Sequence, residues 1–182
     1  MGFFLTGCSP LAYLNFQVSR NMEVAPDLTY GSEDRQTLDV YTRPDVPSKG
    51  TVVFVHGGYW DEGSKNDYPF LADSFTEQGF TTVVVNYRLV PTVTFPTYVE
   101  DVALAVKWTV ENITQYGGNA DNIFLMGHSA GAHIAALVAY DERYLQNIGL
   151  SNRALRGFIG FTGPYDFLPV SPDDVRSIAA LG

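Results

Sequence analysis

The sequence predicts an α/β protein built on a largely parallel central sheet, and three observations carry that expectation. Strand-like and helix-like segments alternate along the chain. The runs Thr51-Val52-Val53-Phe54-Val55 and Thr81-Thr82-Val83-Val84-Val85 are continuous rather than alternating, as strands covered on both faces require. Finally, 182 residues with 46% hydrophobic content can fill a sizeable core, and the length suggests one domain.

The elements follow in order. Two short strands are expected at 27–30 and 38–42, split by the turn-rich Gly31-Ser32-Glu33-Asp34, and 44–50 reads as a loop. The buried strand 51–55 ends at His56-Gly57-Gly58. A helix over 67–78 comes next, with Pro69 tolerated in its first turn and Gly79 stopping it. After a strand at 81–86, Thr97 and Glu100 spell a T-x-x-E capping box that opens another helix. Val99, Val102, Ala103, Val106, Val110 and Ile113 recur there at helical spacing, so one face packs on the sheet, and Gly117-Gly118 ends it. A strand at 122–126 leads through Gly127-His128-Ser129-Ala130-Gly131 into an alanine-rich helix over 130–140. The segment 155–161 reads as the sixth strand.

Composition narrows the function classes. With 11 basic and 20 acidic residues the net charge is −9, which leaves no basic stripe for nucleic acid. No apolar run approaches the ~20 residues of a membrane-spanning helix. The single cysteine, Cys8, excludes an internal disulfide framework and a cysteine-based zinc cluster. His128 and His133 are five residues apart, the wrong spacing for two ligands on one helical face, so no metal site is expected. Leu5-Thr6-Gly7-Cys8 resembles the cleavage site of a bacterial lipoprotein, where the cysteine becomes lipidated, although the segment before it is shorter than a full signal peptide. The alternative is an ordinary thiol near the terminus. A lipid anchor at Cys8 would hold the protein outside the bacterial cytoplasm; without it the protein is expected in the cytoplasm. Residues 1–22 are accordingly set apart as a leader or lipoprotein-like segment, and 23–182 as the domain.

The chemistry concentrates at two motifs. Gly127-His128-Ser129-Ala130-Gly131 has the G-x-S-x-G form of a nucleophile elbow, a strained strand-to-helix turn that only small neighbours permit. It stands between an apolar strand and a helix, the context such a turn needs, so Ser129 is the candidate catalytic nucleophile and the Ala130 N–H a candidate oxyanion donor. The alternative is a glycine-rich packing turn. About 70 residues upstream, His56-Gly57-Gly58-Tyr59-Trp60 follows a buried strand, and the Gly58 and Tyr59 N–H groups are the other candidate oxyanion-hole donors. His56 reads as a structural residue that holds this loop. Tyr59, Trp60 and Tyr165 are candidates for an aromatic wall, and Asp101 is a candidate partner for Arg88.

On these residues the chain resembles the α/β-hydrolase superfamily, in its small carboxylesterase and formamidase-like branches. His56-Gly57-Gly58-Tyr59-Trp60 with Gly63-Ser64-Lys65 is similar to kynurenine formamidases. Asn86-Tyr87-Arg88, Tyr116-Gly117-Gly118, the elbow region through His133, and Gly163-Pro164-Tyr165-Asp166-Phe167 look like bacterial lipoprotein-type esterases. The resemblance implies a three-layer αβα α/β-hydrolase fold. It also implies hydrolysis of small-molecule carboxylic esters or aryl formamides without a cofactor, through serine, acid and histidine in that chain order.

The acid and histidine that should follow the serine are not visible. His133 lies one helical turn beyond Ser129, where a side chain cannot easily arch back over the hydroxyl, so it is expected to pack in its helix rather than act as base. Asp141, Glu142, Asp166, Asp173 and Asp174 are the remaining acids, and Asp166 is expected to be structural or to line the pocket mouth. The expectation is that 23–182 forms the N-terminal two-thirds of the domain, with the last strands missing and the acid and histidine beyond Gly182. A fragment of this kind would be nearly inert alone, and a non-catalytic binding module is the reading from another class.

Overall fold

In a computed structural model the described residues are 10–18 and 21–166. Cys8, Asp173 and Asp174 lie outside them. Six strands form one mixed sheet: β1 (Glu23–Thr29), β2 (Thr37–Thr42), β3 (Thr51–Val55), β4 (Thr81–Val85), β5 (Ile123–His128) and β6 (Leu155–Phe161). Their spatial order is β1-β2-β4-β3-β5-β6. The β1–β2 and β2–β4 pairs are antiparallel, while β3–β4, β3–β5 and β5–β6 are parallel.

The helices are α1 (Pro10–Phe16), α2 (Pro69–Glu77), α3 (Thr97–Asn112), α4 (Ala130–Tyr140) and α5 (Glu142–Gln146). Alternate residues of the central strands face different helices, because successive side chains of a strand point to opposite sides. Val53, Val55, Val83, Val85 and Leu125 pack with Val99, Val102 and Val106 of α3 and Ile134 and Val138 of α4. Val52, Phe54, Val84 and Met126 pack instead with Leu71, Ala72 and Phe75 of α2. This is a three-layer αβα arrangement. Every position of β3 and β4 is buried, which is why their sequences run apolar without alternation.

Several boundaries differ from expectation. β1 starts at Glu23, not 27, because an exposed edge strand leaves no apolar periodicity to read. It tolerates Pro26 at an irregularity between Ala25 and Leu28, where Asp27 has φ +54°. The 67–78 helix resolves into a 3-10 turn at Lys65–Asp67 followed by α2, with Pro69 as its first residue. The Thr97–Glu100 capping box does not form. Pro96 occupies the cap position, Thr97 is already helical, and the Val99 and Glu100 N–H groups bond to the Pro96 carbonyl at 2.8 and 3.1 Å. The short α5, capped by the Asp141 side chain, was not expected. Among the described residues, no helix is long and apolar enough to cross a membrane.

Candidate active site

β5 continues through His128, so the turn into α4 is made by Ser129 alone, at φ +52° and ψ −121°. A non-glycine residue in such a conformation costs on the order of 1–3 kcal/mol and persists only where its surroundings enforce it. Here they do. The Ser129 N–H donates to the Phe161 carbonyl of β6 at 2.8 Å, and its own carbonyl accepts from the Ala132 and His133 N–H groups at 2.9 and 3.2 Å. A Cβ at Gly131 would run into the carbonyls of Val55 and His56, so only glycine lets α4 start this close to β3. Ser129 sits at the cap position of α4 without spending its hydroxyl on a capping hydrogen bond. The Ala130 N–H is the first of an 11-residue helix, where the positive end of the backbone dipole favours an anion.

The loop after β3 closes on this turn. A Cβ at Gly57 would stand 2.9 Å from His128 Nδ1 and 3.1 Å from Ser129 Cβ, so the loop backbone lies directly against the serine. Gly58, Tyr59 and Trp60 all have positive φ (120°, 47° and 64°), and the Gly58 carbonyl accepts from the Asp61 and Glu62 N–H groups at 3.0 and 2.9 Å. Among the described residues, the non-glycine residues with positive φ are Asp27, Tyr59, Trp60, Ser129 and Thr162. All but Asp27 lie just beyond the carboxyl ends of β3, β5 and β6, so backbone strain gathers where the two motifs meet. The structure thus brings the segments of Gly58, Tyr59, Ser129 and Ala130 to one end of the sheet.

The aromatic wall needs correction. The same run of positive φ that leaves Tyr59 54% exposed turns Trp60 inward to 3%, where it packs edge-on against His133 with ring centroids 5.5 Å apart. Tyr165 leans on Phe158 instead, at 6.3 Å. The three residues do not form one surface. His133 is half-buried, burial lowers its pKa, and its ring forms part of the lining of an apolar cavity of about 600 Å³ beside α4 and β6. Asp141 and Glu142 are engaged in α5, the former with Arg143 at 2.6 Å and the latter with Gln146 at 3.0 Å, and Asp166 is exposed.

His56 is fully buried and stacks on Tyr87, with centroids 4.5 Å apart and planes at 21°. Its Nδ1 lies 2.7 Å from the Gly57 carbonyl oxygen. A carbonyl can only accept, so Nδ1 carries the proton and the neutral ring donates. Burial is the main force on its titration and pushes the pKa down to about 4, opposed by the Gly57 hydrogen bond and reinforced by the charge of Arg35.

Around the loops lies a polar scaffold. Asp101, fully buried on α3, accepts from Gln36 Nε2 at 2.7 Å, the Arg88 N–H at 3.0 Å and Arg88 Nη2 at 2.6 Å, confirming the Arg88 pairing expected from sequence. Lys65 Nζ bridges Asp27 and Asp39 at 2.7 and 2.6 Å, while its N–H donates to Asn86 Oδ1 at 2.7 Å. Its burial would lower the ammonium pKa, but the two carboxylates outweigh that and raise it. Gln36 and Arg35 carried no sequence signal and Lys65 stood only within a motif without a partner, because the groups that fix them, Asp101, Gly63 and Asn86, are 65, 28 and 21 residues away. Among the described residues, no cluster of three or more histidine, cysteine or acidic side chains is placed to hold a metal.

Comparison with known proteins gives this geometry a family. The BD-FAE family model matches residues 38–179. A probable carboxylic ester hydrolase of Mycobacterium tuberculosis, LipM, is 35% identical over 149 residues, covering 78% of this chain and 35% of the relative. Kynurenine formamidase of Danio rerio is 32% identical over 148 residues, covering 79% and 47%. Esterase B from Lactobacillus rhamnosis, with a bound tributyrin phosphonate, superposes with a TM-score of 0.80 at 22% identity, over 93% of this chain and 58% of the other. The chain spans from about a third to just under half the length of these two curated relatives. The superposition shows the α/β-hydrolase fold, and by the extent of the family match the chain belongs to the BD-FAE family.

Proposed function

We propose that the chain carries the nucleophile of a serine hydrolase acting on small-molecule carboxylic esters. Ser129 Oγ attacks the ester carbonyl as an imidazole base takes its proton, the carbonyl oxygen becomes an oxyanion held by the Ala130, Gly58 and Tyr59 N–H groups, the base returns the proton to the departing alcohol to leave an acyl-enzyme, and water deprotonated by the same base then hydrolyses it. No cofactor enters this chemistry. One observation carries the reading: Ser129 is held at positive φ at the head of α4, its hydroxyl not used for capping, with the Gly57 backbone closed against it. The ester-hydrolase relatives support it. The cavity lined by His133, Ala136, Leu137, Tyr140, Phe158 and Tyr165, with Asp141 at its edge paired to Arg143, begins one helical turn from Ser129 and suits an apolar acyl or aryl arm.

Labelling with a fluorophosphonate tests the proposal. In the full-length gene product, Ser129-dependent labelling, abolished in Ser129→Ala, is expected; labelling that is absent there, or unchanged in that variant, would refute it. Similarity to the formamidase favours a second reading, aryl formamide hydrolysis at the same serine. Comparing turnover of p-nitrophenyl acetate and N-formylkynurenine decides between the two.

A further inference from the structure

Arg35 sits at the end of the β1–β2 turn, and its guanidinium reaches two other loops at once. Nη2 donates to the Gly63 carbonyl at 2.9 Å, in the loop after β3, and Nε donates to the Tyr87 carbonyl at 2.8 Å, just after β4. Both partners lead directly to the candidate oxyanion loop. A Cβ at Gly63 would stand 2.6 Å from both the Gly57 carbonyl oxygen and His56 Nδ1, so this residue is packed against the base of that loop. The Tyr87 hydroxyl donates to the His56 carbonyl at 3.1 Å, and its ring supports the imidazole. The opposite side of Gly57 touches Ser129. A chain of direct contacts therefore runs from Arg35 through Gly63 and Gly57 to the serine.

The charge of Arg35 is unusual as well. Among the described residues no carboxylate lies within ion-pairing distance of it, whereas Arg43, Lys65, Arg88, Lys107 and Arg143 all have one, and Lys49, Arg153 and Arg156, which likewise lack one, are exposed to solvent. It is half-buried and bonded to two neutral carbonyls, and burial lowers its pKa. Desolvating a cation without a counter-ion is costly, and two carbonyl dipoles do not cancel the charge. Its field reaches His56, whose protonation it disfavours. The same field favours negative charge that develops beside the loop. Arg35 also lines a cavity of about 500 Å³ with Glu33, Asp34, Asp61, Arg88 and Leu89, none of whose carboxylates comes within ion-pairing distance of it, so small solutes can reach its neighbourhood.

We propose that Arg35 is a positioning residue for the Ser129 site, an uncompensated cation that staples three loops together and holds the Gly57–Gly63 backbone in register with the nucleophile. This rests on the proposed role of Ser129 for its catalytic consequence, but not for its structural one. Its guanidinium is spent on the Gly63 and Tyr87 carbonyls, so its loss should act on kcat and on Ser129 reactivity rather than on KM.

The test uses Arg35→Lys, which keeps the charge but loses the fork, Arg35→Met and Arg35→Ala, each with its melting temperature measured. The rate of Ser129 labelling by a neutral fluorophosphonate and kcat for p-nitrophenyl acetate are expected to fall about 10-fold or more in Arg35→Met, with KM nearly unchanged and a smaller loss in Arg35→Lys. Added methylguanidinium should restore part of the rate in Arg35→Ala and not alter the wild type. In parallel, the NMR titration midpoint of His56 should rise by roughly half a unit or more in Arg35→Met and stay near wild type in Arg35→Lys. A folded Arg35→Met protein with wild-type labelling, kcat and His56 midpoint overturns the proposal. Should wild-type Ser129 fail to label, the hydrolase reading falls. The loop backbone then decides on Arg35 alone: faster hydrogen exchange of the Asp61 and Glu62 amides, which donate to the Gly58 carbonyl, in folded Arg35→Met supports the staple, and unchanged exchange refutes it.

Discussion

Acid should destabilise this fold through His56 in a window that the structure defines. The ring is fully buried, donates from Nδ1 to the Gly57 carbonyl and stacks on Tyr87, so protonation puts a charge among apolar neighbours. In the unfolded chain the imidazole takes up its proton near pH 6.5, whereas in the folded chain it does so only near about 4. Between these values the unfolded state binds more protons, so the stabilisation is complete above pH 6.5 and is lost progressively as the pH falls toward 4. The difference corresponds to roughly 3 kcal/mol in full, most of which is already lost at about pH 4.5. The carboxylates of a chain with net charge −9 add their own acid dependence, so the measurement must be a difference. His56→Asn serves, because the amide can still donate to the Gly57 carbonyl but does not titrate. Urea denaturation of both proteins at neutral pH and at about pH 4.5 should show the wild type losing roughly 2–3 kcal/mol more than the variant, even though the variant starts less stable for want of the ring stack. Equal losses in the two proteins would refute the buried neutral histidine.

Two further substitutions probe the scaffold around the site. Asp101→Ala strands the Arg88 guanidinium and the Gln36 amide; removing one partner of a buried pair costs about 3–5 kcal/mol, with the lower end expected because the Arg88 side chain is 24% exposed and can rehydrate. In thermal unfolding this amounts to a fall of roughly 6–12 °C, and Asp101→Asn should lose less. Gly131→Ala presses a methyl group into two backbone carbonyls that no rotamer change can relieve, and should cost more than about 3 kcal/mol or abolish soluble expression. Gly149→Ala is its control, since a Cβ there meets nothing within 4 Å and only the φ of +79° is strained, at about 1–2 kcal/mol. Denaturant midpoints that rank the two glycine variants in the opposite order would contradict the close approach of α4 to β3.

What could be read from sequence divides by physical cause. β3 and β4 were legible because both faces are covered, so every residue had to be apolar or β-branched. The elbow was legible because close backbone approach admits only glycine: Gly131 answers the Val55 and His56 carbonyls, and Gly57 answers Ser129. α4 and β6 were placed with the bounds the structure gives them. The start of β1 was not legible, since a solvent-facing edge strand is free to carry Pro26 and Asp27 and so keeps no pattern. The Thr97 cap differs from its sequence motif for another reason. T-x-x-E specifies side chains, whereas a cap is defined by backbone conformation, and Pro96 takes the cap position one residue earlier.

The staples differ from both cases. Arg35 reaches across 28 and 52 residues to main-chain carbonyls, and Lys65 across 26 and 38 to carboxylates. A backbone carbonyl is present at every residue, so an arginine that binds one imposes no requirement on the identity of its partner and leaves no paired pattern to find. Glycine at a close approach behaves in the opposite way, because the contact itself forbids every other side chain. The residues that shape the backbone at Ser129 are therefore readable one by one. Those that hold the finished loops in place become visible only when the strands have brought them together, which is why the test of Arg35 requires the folded protein and a reactive serine measured in the same variants.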